Sequence, residues 1–406
     1  MKLVMTLKVR DEEDVLESNL RYHLAQGIDF FIVTDNGSVD RTPEILSAYQ
    51  RAGLMLLLDD DSPDYFAMHG EWVSRMARLA ATDSGADWVI HTDADEFWWP
   101  VNGTLRDVFT AVREPYGVLF APRPEFIPRP DGPGPFHQRL VVREARSRLR
   151  PKMAHRAAPD VVVSGGGHHV GGASDQAGVR PPGRLATDPY SGPAPSLRFV
   201  PCPWWPVRIL HFPHRSSAHF LRRMEQYAID DSFPDSASVR ELRRQRAEGR
   251  LMERWEALVP DEEEVEAGLR DGRFVEDHSL RDFMRGCPDP LADGGVDAAR
   301  RYAVEVAAAI PEEHSRRELA TLELEMMEAS ARTNAARQRQ RTRHRARAAS
   351  SARRLARTRE RLEQVKRENR RLKRRLSAAR SSPWRRLAGA VAQPLSRALH
   401  RDGEGR

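Results

Sequence analysis

The sequence predicts an α/β fold in which a mixed, mostly parallel sheet is flanked by helices. Three observations predict it. Apolar runs of strand length alternate with helically spaced apolar residues through the first 91 positions. Each run closes in a polar, acid-rich segment. The 40% hydrophobic content is enough for a proper core in a chain of 406 residues.

The elements follow in order. Leu3 to Val9 reads as a first strand, and Val15, Leu16, Leu20 and Leu24 then recur at helical spacing until Gly27. Ile28 to Thr34 is a second apolar strand, closed by the turn-forming hexad Asp35-Asn36-Gly37-Ser38-Val39-Asp40. Thr42 before Pro43 reads as an N-cap with proline at the first helical position, opening a helix to about Arg51. Leu54 to Leu58 is a third strand, His69 to Thr82 a third helix, and Asp87 to His91 a fourth strand. This alternation places the polar segments Arg10–Glu12, Asp35–Asp40 and Asp93–Glu96 at the carboxyl ends of the strands, where open α/β sheets bind ligands.

Beyond Pro100 the pattern loosens. Leu105 to Val112 is helical, Gly117 to Ala121 is a short strand, and six prolines between 122 and 135 mark a loop. Leu140–Arg143, Val161–Val163 and Arg208–Phe212 read as further strands, and Ser217–Ile229 as a helix. A first domain is therefore drawn over 1–230, with a flexible Gly/Pro-rich insert at 171–203. A helical extension follows over 231–310. Residues 311–380 hold no internal Gly or Pro; Leu355, Leu362, Asn369 and Leu376 stand seven apart, as do Thr358, Val365 and Leu372. This is a coiled-coil repeat with an asparagine in the seam, and it predicts a homodimer.

Charge divides the chain. Arg341 to Arg380 holds 17 Lys/Arg against 3 Glu, and 381–406 holds 5 Arg against 2 acids, within a chain total of +6. The first 340 residues are thus acidic, near −11, and the pI of 9.6 belongs to the tail. Cys202 and Cys287 form neither a disulfide framework nor a zinc spacing. No run of membrane-span length occurs, and the N-terminal apolar stretch is too short for a signal-peptide core, so a cytoplasmic place is expected. Trp384, Leu387, Val391, Leu395 and Leu399 with intervening arginines predict peripheral contact of 381–406 with an anionic inner membrane face.

Three carboxylates, Asp93, Asp95 and Glu96, close the fourth strand, and burying like charges is costly unless cations offset them. Two aspartates one residue apart offer hard oxygen ligands of the kind that suit Mn²⁺ or Mg²⁺ against a diphosphate. Asp35 is placed to accept from a ribose hydroxyl or a base N–H. Asn36, Ser38 and Asp40 either share that work or hold the turn.

Arg10-Asp11-Glu12, Gly27-Ile28-Asp29, Asp35-Asn36-Gly37-Ser38-Val39-Asp40-Arg41-Thr42 and Asp93-Ala94-Asp95-Glu96-Phe97 together resemble bacterial family 2-type glycosyltransferases of GT-A fold, in the branch with an Asp-x-Asp-Glu-Phe block. The resemblance covers roughly residues 1 to 225. It implies a metal-dependent, hexosyltransferase-like enzyme that moves a sugar from a nucleotide-diphosphate sugar to a glycan or lipid-linked acceptor, with inversion, in cell-surface glycan synthesis. It puts Arg10, Glu12, Asp35 and Asp93 at the nucleotide sugar and Asp93 and Asp95 at the metal. Lys152-Met153-Ala154-His155-Arg156 followed by Gly167-His168-His169-Val170 resembles a segment where a histidine, here His168, completes the metal site. His211-Phe212-Pro213-His214-Arg215-Ser216 resembles a closing block whose Arg215 pairs with diphosphate. No acidic pair stands where such enzymes carry the base, which leaves Glu125 and Asp160 as candidates. Two other readings compete: a nucleic-acid-binding protein working through the Arg-rich zipper-like end, which explains only the last quarter, and a catalytically inactive GT-A scaffold.

Overall fold

A computed structural model describes residues 1–62, 65–147, 149–164, 166–172, 200–202, 204–233 and 235–380. The expected insert at 171–203 and tail at 381–406 fall almost wholly outside them. The first half alternates as expected: β1 (Leu3–Val9), α1 (Leu16–Ala25), β2 (Phe30–Asp35), α2 (Thr42–Arg51), β3 (Met55–Asp59), α3 (Tyr65–Thr82) and β4 (Trp88–Asp93). There follow β5 (Glu96–Pro100), α4 (Leu105–Ala111), β6 (Tyr116–Ala121), α5 (Phe136–Arg139), β7 (Val142–Glu144), β8 (Lys152–Arg156), β9 (Val161–Ser164), β10 (His169–Gly172), β11 (Val200–Pro201) and β12 (Val207–His211). The remainder is α6 (Ser217–Ile229), α7 (Ala237–Ala247), α8 (Leu251–Glu256), α9 (Glu262–Asp271), β13 (Phe274–Glu276), α10 (Ser279–Gly286), α11 (Gly295–Ala308) and α12 (Glu312–Arg380).

The main sheet has seven strands in the order β11-β6-β8-β4-β1-β2-β3. β1 lies parallel between β4 and β2, β3 continues parallel to β2, and β8 runs antiparallel to both β4 and β6. The sheet is mixed and mostly parallel, as the sequence predicts. β1 is buried along its whole length because helices cover both faces. Its odd residues Leu3, Met5, Leu7 and Val9 join one core with α1, α10 and α11, while Val4 joins another under α3 and β9.

Two expectations change. Thr42 does not cap α2: Arg41 occupies the N-cap position, and the Thr42 hydroxyl instead accepts from the Glu12 N–H at 2.9 Å, tying the first polar segment to the second. The boundary at 230 is not a boundary either. Leu280, Phe283, Met284, Ala299 and Ala303 of α10 and α11 sit in the main core, and β13 pairs with β7. Met1–Thr333 forms one compact unit and Asn334–Arg406 another. Among the described residues no helix is long and apolar enough to cross a membrane.

Candidate active site

The turn joining β4 to β5 is fixed before any ligand is considered. Asn19, fully buried on α1, donates to the Ala94 and Glu96 carbonyls at 2.9 Å each. The Asp93 N–H donates to Glu96 Oε2 at 2.9 Å, and Phe212 N–H donates to the Asp95 carbonyl at 2.9 Å. These bonds aim three carboxylates at three surroundings. Asp93 is one-third exposed and accepts from Lys152 Nζ at 2.8 Å. Burial pushes its pKa up, but Lys152, His69 and Lys8 outweigh that and hold it well below the usual carboxylate range. Glu96 is fully buried between Arg123 (2.6 Å) and Lys152 (3.1 Å). Asp95 is buried with Oδ2 at 3.3 Å from Arg223 and 3.7 Å from Arg215, while its Oδ1 has no hydrogen-bond partner.

His211 Nε2 lies 3.7 Å from that Asp95 Oδ1, and Glu125 Oε1 lies 3.4 Å from His211 Nδ1. If Glu125 holds a proton on Nδ1, the Nε2 lone pair faces a carboxylate oxygen, an arrangement that a cation between them resolves. The orphaned oxygen and the facing imidazole are therefore a donor set that fits a divalent cation. A second acidic group, Glu12, Asp14 and His219, does not fit one as well. Arg215 already claims it, donating to Glu12 at 2.5 Å and to both Asp14 oxygens at 2.8 Å.

A cleft of about 540 Å³ opens over this edge. Its lining includes Lys8 near the end of β1 and Arg10, Asp11 and Glu12 after it, with Asp93 and Asp95; α6 supplies His219, Arg222, Arg223, Gln226 and Tyr227. Burial pushes the Lys8 ammonium well below its usual range, and it donates to His69 Nδ1 at 3.1 Å. Burial and Lys8 lower His69 to about 3. Asp11 is the one non-glycine residue at positive φ, +56°, among those described. It is held there by Ser38 Oγ on its N–H, the Val39 N–H on Oδ1 and Gln226 on Oδ2.

The residues expected from sequence divide. Arg10, Glu12, Asp93 and Asp95 line the cleft. Asp35 ends β2 on the same edge, buried, with its Oδ1 accepting from Ser38 at 2.6 Å; burial leaves its pKa raised. Asn36, Ser38 and Asp40 hold the turn: Asn36 bonds Arg10, Asp60 and Ser62, Ser38 bonds Asp11 and Asp35, and Asp40 accepts from Glu13 and Thr42. Arg215 lies fully buried beneath the cleft, where its guanidinium is spent on Glu12 and Asp14 and is not open to a diphosphate. His168 donates from Nδ1 to the Pro151 carbonyl at 2.8 Å and does not line the cleft; the imidazole facing Asp95 is His211.

Asp160 is withdrawn as a base. Because β8 runs antiparallel to β4, pairing Trp88 with Arg156, its Lys152 end meets the site and the turn holding Asp160 lies exposed at the opposite edge. Glu125 stays on the correct edge, bound to His211; burial raises its pKa, but the histidines and Arg123 bring it below the usual range. The sequence reading missed Lys8, His69, Lys152, Arg123 and Arg223. The signal for Lys152 was its place in the Lys152–Arg156 block, which gave it no role; that for Arg123 was a charge set in a proline-rich run.

No family model matches the chain, and no curated protein matches it in sequence. Solved structures match in part. Residues 1–349 of S. aureus TarS align at a TM-score of 0.29 and 18% identity over 39% of this chain and 48% of that one. TarS in complex with UDP-GlcNAc aligns at 0.28 and 17%, over 39% and 46%. Glucosyl-3-phosphoglycerate synthase from Mycobacterium tuberculosis, in complex with Mn²⁺ and UDP-glucose, aligns at 0.22 and 20%, over 38% and 56%. The chain thus spans about half the length of each. The class that the structure itself defines is an α/β protein with a mixed, mostly parallel sheet and a charged cleft at its carboxyl edge.

Proposed function

We propose that the protein is a divalent-metal-dependent glycosyltransferase of GT-A type that moves a sugar from a nucleotide-diphosphate sugar to an acceptor hydroxyl, with inversion. The observation that carries this reading is the buried Asp95 Oδ1, without a hydrogen-bond partner and 3.7 Å from His211 Nε2, at a strand end beside a cleft lined by both basic and acidic side chains. Asp95 and His211 would hold the Mn²⁺ or Mg²⁺, and Glu125 would fix the His211 tautomer. When bound, the ion would offset charge on the departing diphosphate.

The chain's own residues supply the rest. Arg10 and Arg222 present positive charge to the diphosphate, and Asp35 accepts from the ribose or base. Asp93, kept ionised by Lys152, accepts from donor hydroxyls. In the transfer, the bond from the sugar's anomeric carbon to the β-phosphate oxygen breaks and one to the acceptor oxygen forms. The acceptor proton passes to a carboxylate and the nucleoside diphosphate leaves. A glycan or lipid-linked acceptor in cell-surface synthesis is the class this reading implies, met in the cytoplasm at the inner membrane face.

A thermal-shift screen of UDP, GDP, ADP and CDP with Mn²⁺ tests the reading. One nucleotide should stabilise the protein only when metal is present, and donor turnover should vanish in Asp95→Ala and His211→Ala. Undiminished turnover in Asp95→Ala would sink the metal assignment.

A further inference from the structure

The heptad face of α12 lies in the second unit, Asn334–Arg406. Leu362, Val365, Leu372 and Leu376 on it are 52–58% exposed. Spacing alone suggests that a second copy covers them, but the flanking charges argue otherwise. With Leu355, Leu362, Asn369 and Leu376 at the first seam position, the flanks of the seam carry Arg354, Arg359, Arg361, Lys366, Glu368, Lys373 and Arg375. In a parallel pair of copies Arg354 meets Arg359, Arg361 meets Lys366, and Arg375 meets Arg380; only Glu368 meets an opposite charge, Lys373. In an antiparallel pair the flanks face their own kind and are again overwhelmingly basic. Between Leu355 and Ser377 there are ten Lys/Arg against three Glu, so self-pairing joins two strongly cationic helices.

The apolar stripe is also narrow, two positions in seven and broken by Asn369. That suits the seam of a partner helix and falls short of the wide apolar face a helix needs to lie in a lipid surface. We infer that this face pairs with a helix of another protein, an amphipathic helix carrying Asp or Glu beside its apolar seam, and that it selects against a second copy of this chain.

The test uses the full chain, the variant Leu362→Lys/Leu372→Lys, and two labelled 23-residue peptides. One peptide has the native sequence of residues 355–377. The other keeps its seam but has Glu for each flanking Arg or Lys and Lys for Glu368. In about 0.15 M salt the full chain should sediment as a monomer. It should bind the acidic peptide one to one, at least about tenfold more tightly than the native-sequence peptide, more weakly as salt rises, and not at all as the variant. An unchanged melting curve of the variant shows that the body is folded. A dimer that the variant returns to monomer would overturn the inference in favour of a second copy. Equal affinity for the two peptides, or binding to phosphatidylglycerol vesicles that the variant loses, would overturn it too.

Discussion

The acidic turn after β4 and the basic stretch of α12 manage charge in opposite ways. At the turn each carboxylate meets a cation from far along the sequence: Arg123 lies 27 residues from Glu96, Lys152 lies 59 from Asp93, and Arg223 lies 128 from Asp95. Over residues 356–377 of α12 the cations stand in solvent, and Lys366 finds its partner, Glu363, on the same helix. A buried charge must find its opposite through the fold, whereas a solvated one need not. The turn's charge is therefore a property of tertiary structure, while the helix's charge is available to something outside.

This contrast is broken most severely at Arg215. Arg215→Met strands Glu12 and Asp14 without their common cation, leaves Asp95 to Arg223 alone, and should cost about 3–5 kcal/mol in chemical denaturation, as removal of one partner from a buried pair does. Arg215→Lys should recover part of that, because it keeps the charge and loses the bidentate fit to Asp14. Lys152→Met should cost less, about 2–3 kcal/mol, since Arg123 still answers Glu96. Glu125→Gln should leave stability nearly untouched but weaken Mn²⁺ binding by roughly 10–100-fold in calorimetry; unchanged Mn²⁺ affinity would return Glu125 to the list of bases.

Acid sharpens the same comparison. His23 and His155 are fully buried, and burial lowers them to about 3 and about 4. A histidine whose folded pKa is depressed contributes stability that is complete above its unfolded value, near 6.5, and is lost as pH falls toward the folded value. Melting temperature should therefore decline between about pH 6.5 and 4, and the decline should shrink in His23→Gln if that variant folds. At the other extreme, Arg370→Gln/Arg371→Gln on the exposed helix should shift stability by no more than about 0.5 kcal/mol. A large change there would show that the helix's charges are partnered after all.

The first half of the fold was legible because β1, β2 and β4 are almost wholly buried and so read as continuous apolar runs: β1 falls on the expected residues, and α2, β2, β3 and β4 within two. β5 was missed because Glu96-Phe97-Trp98-Trp99-Pro100 follows the acids directly and looks like the end of a turn. β8 was missed because Lys152-Met153-Ala154-His155-Arg156 carries three basic residues, and nothing local says that Lys152 is buried against acids 56 to 59 residues earlier. Asp93 and Asp95 could be named from spacing, and Asp160 could not be rejected, for one reason: sequence shows which residues end a strand but not which way a later strand runs. His211 was visible only as part of a block, since its pairing with Asp95 depends on β12 crossing antiparallel to β5.

Arg215 follows Glu12 by 203 residues. At about 5–20 residues per second on the ribosome, the first acids wait roughly 10–40 s for their counter-ion. The amino-terminal strands can pair as they emerge, yet the charge-balanced floor of the cleft cannot exist until α6 has been made. The order of synthesis thus delays the ion pairs of Arg215 with Glu12 and Asp14 until most of the sheet has been made.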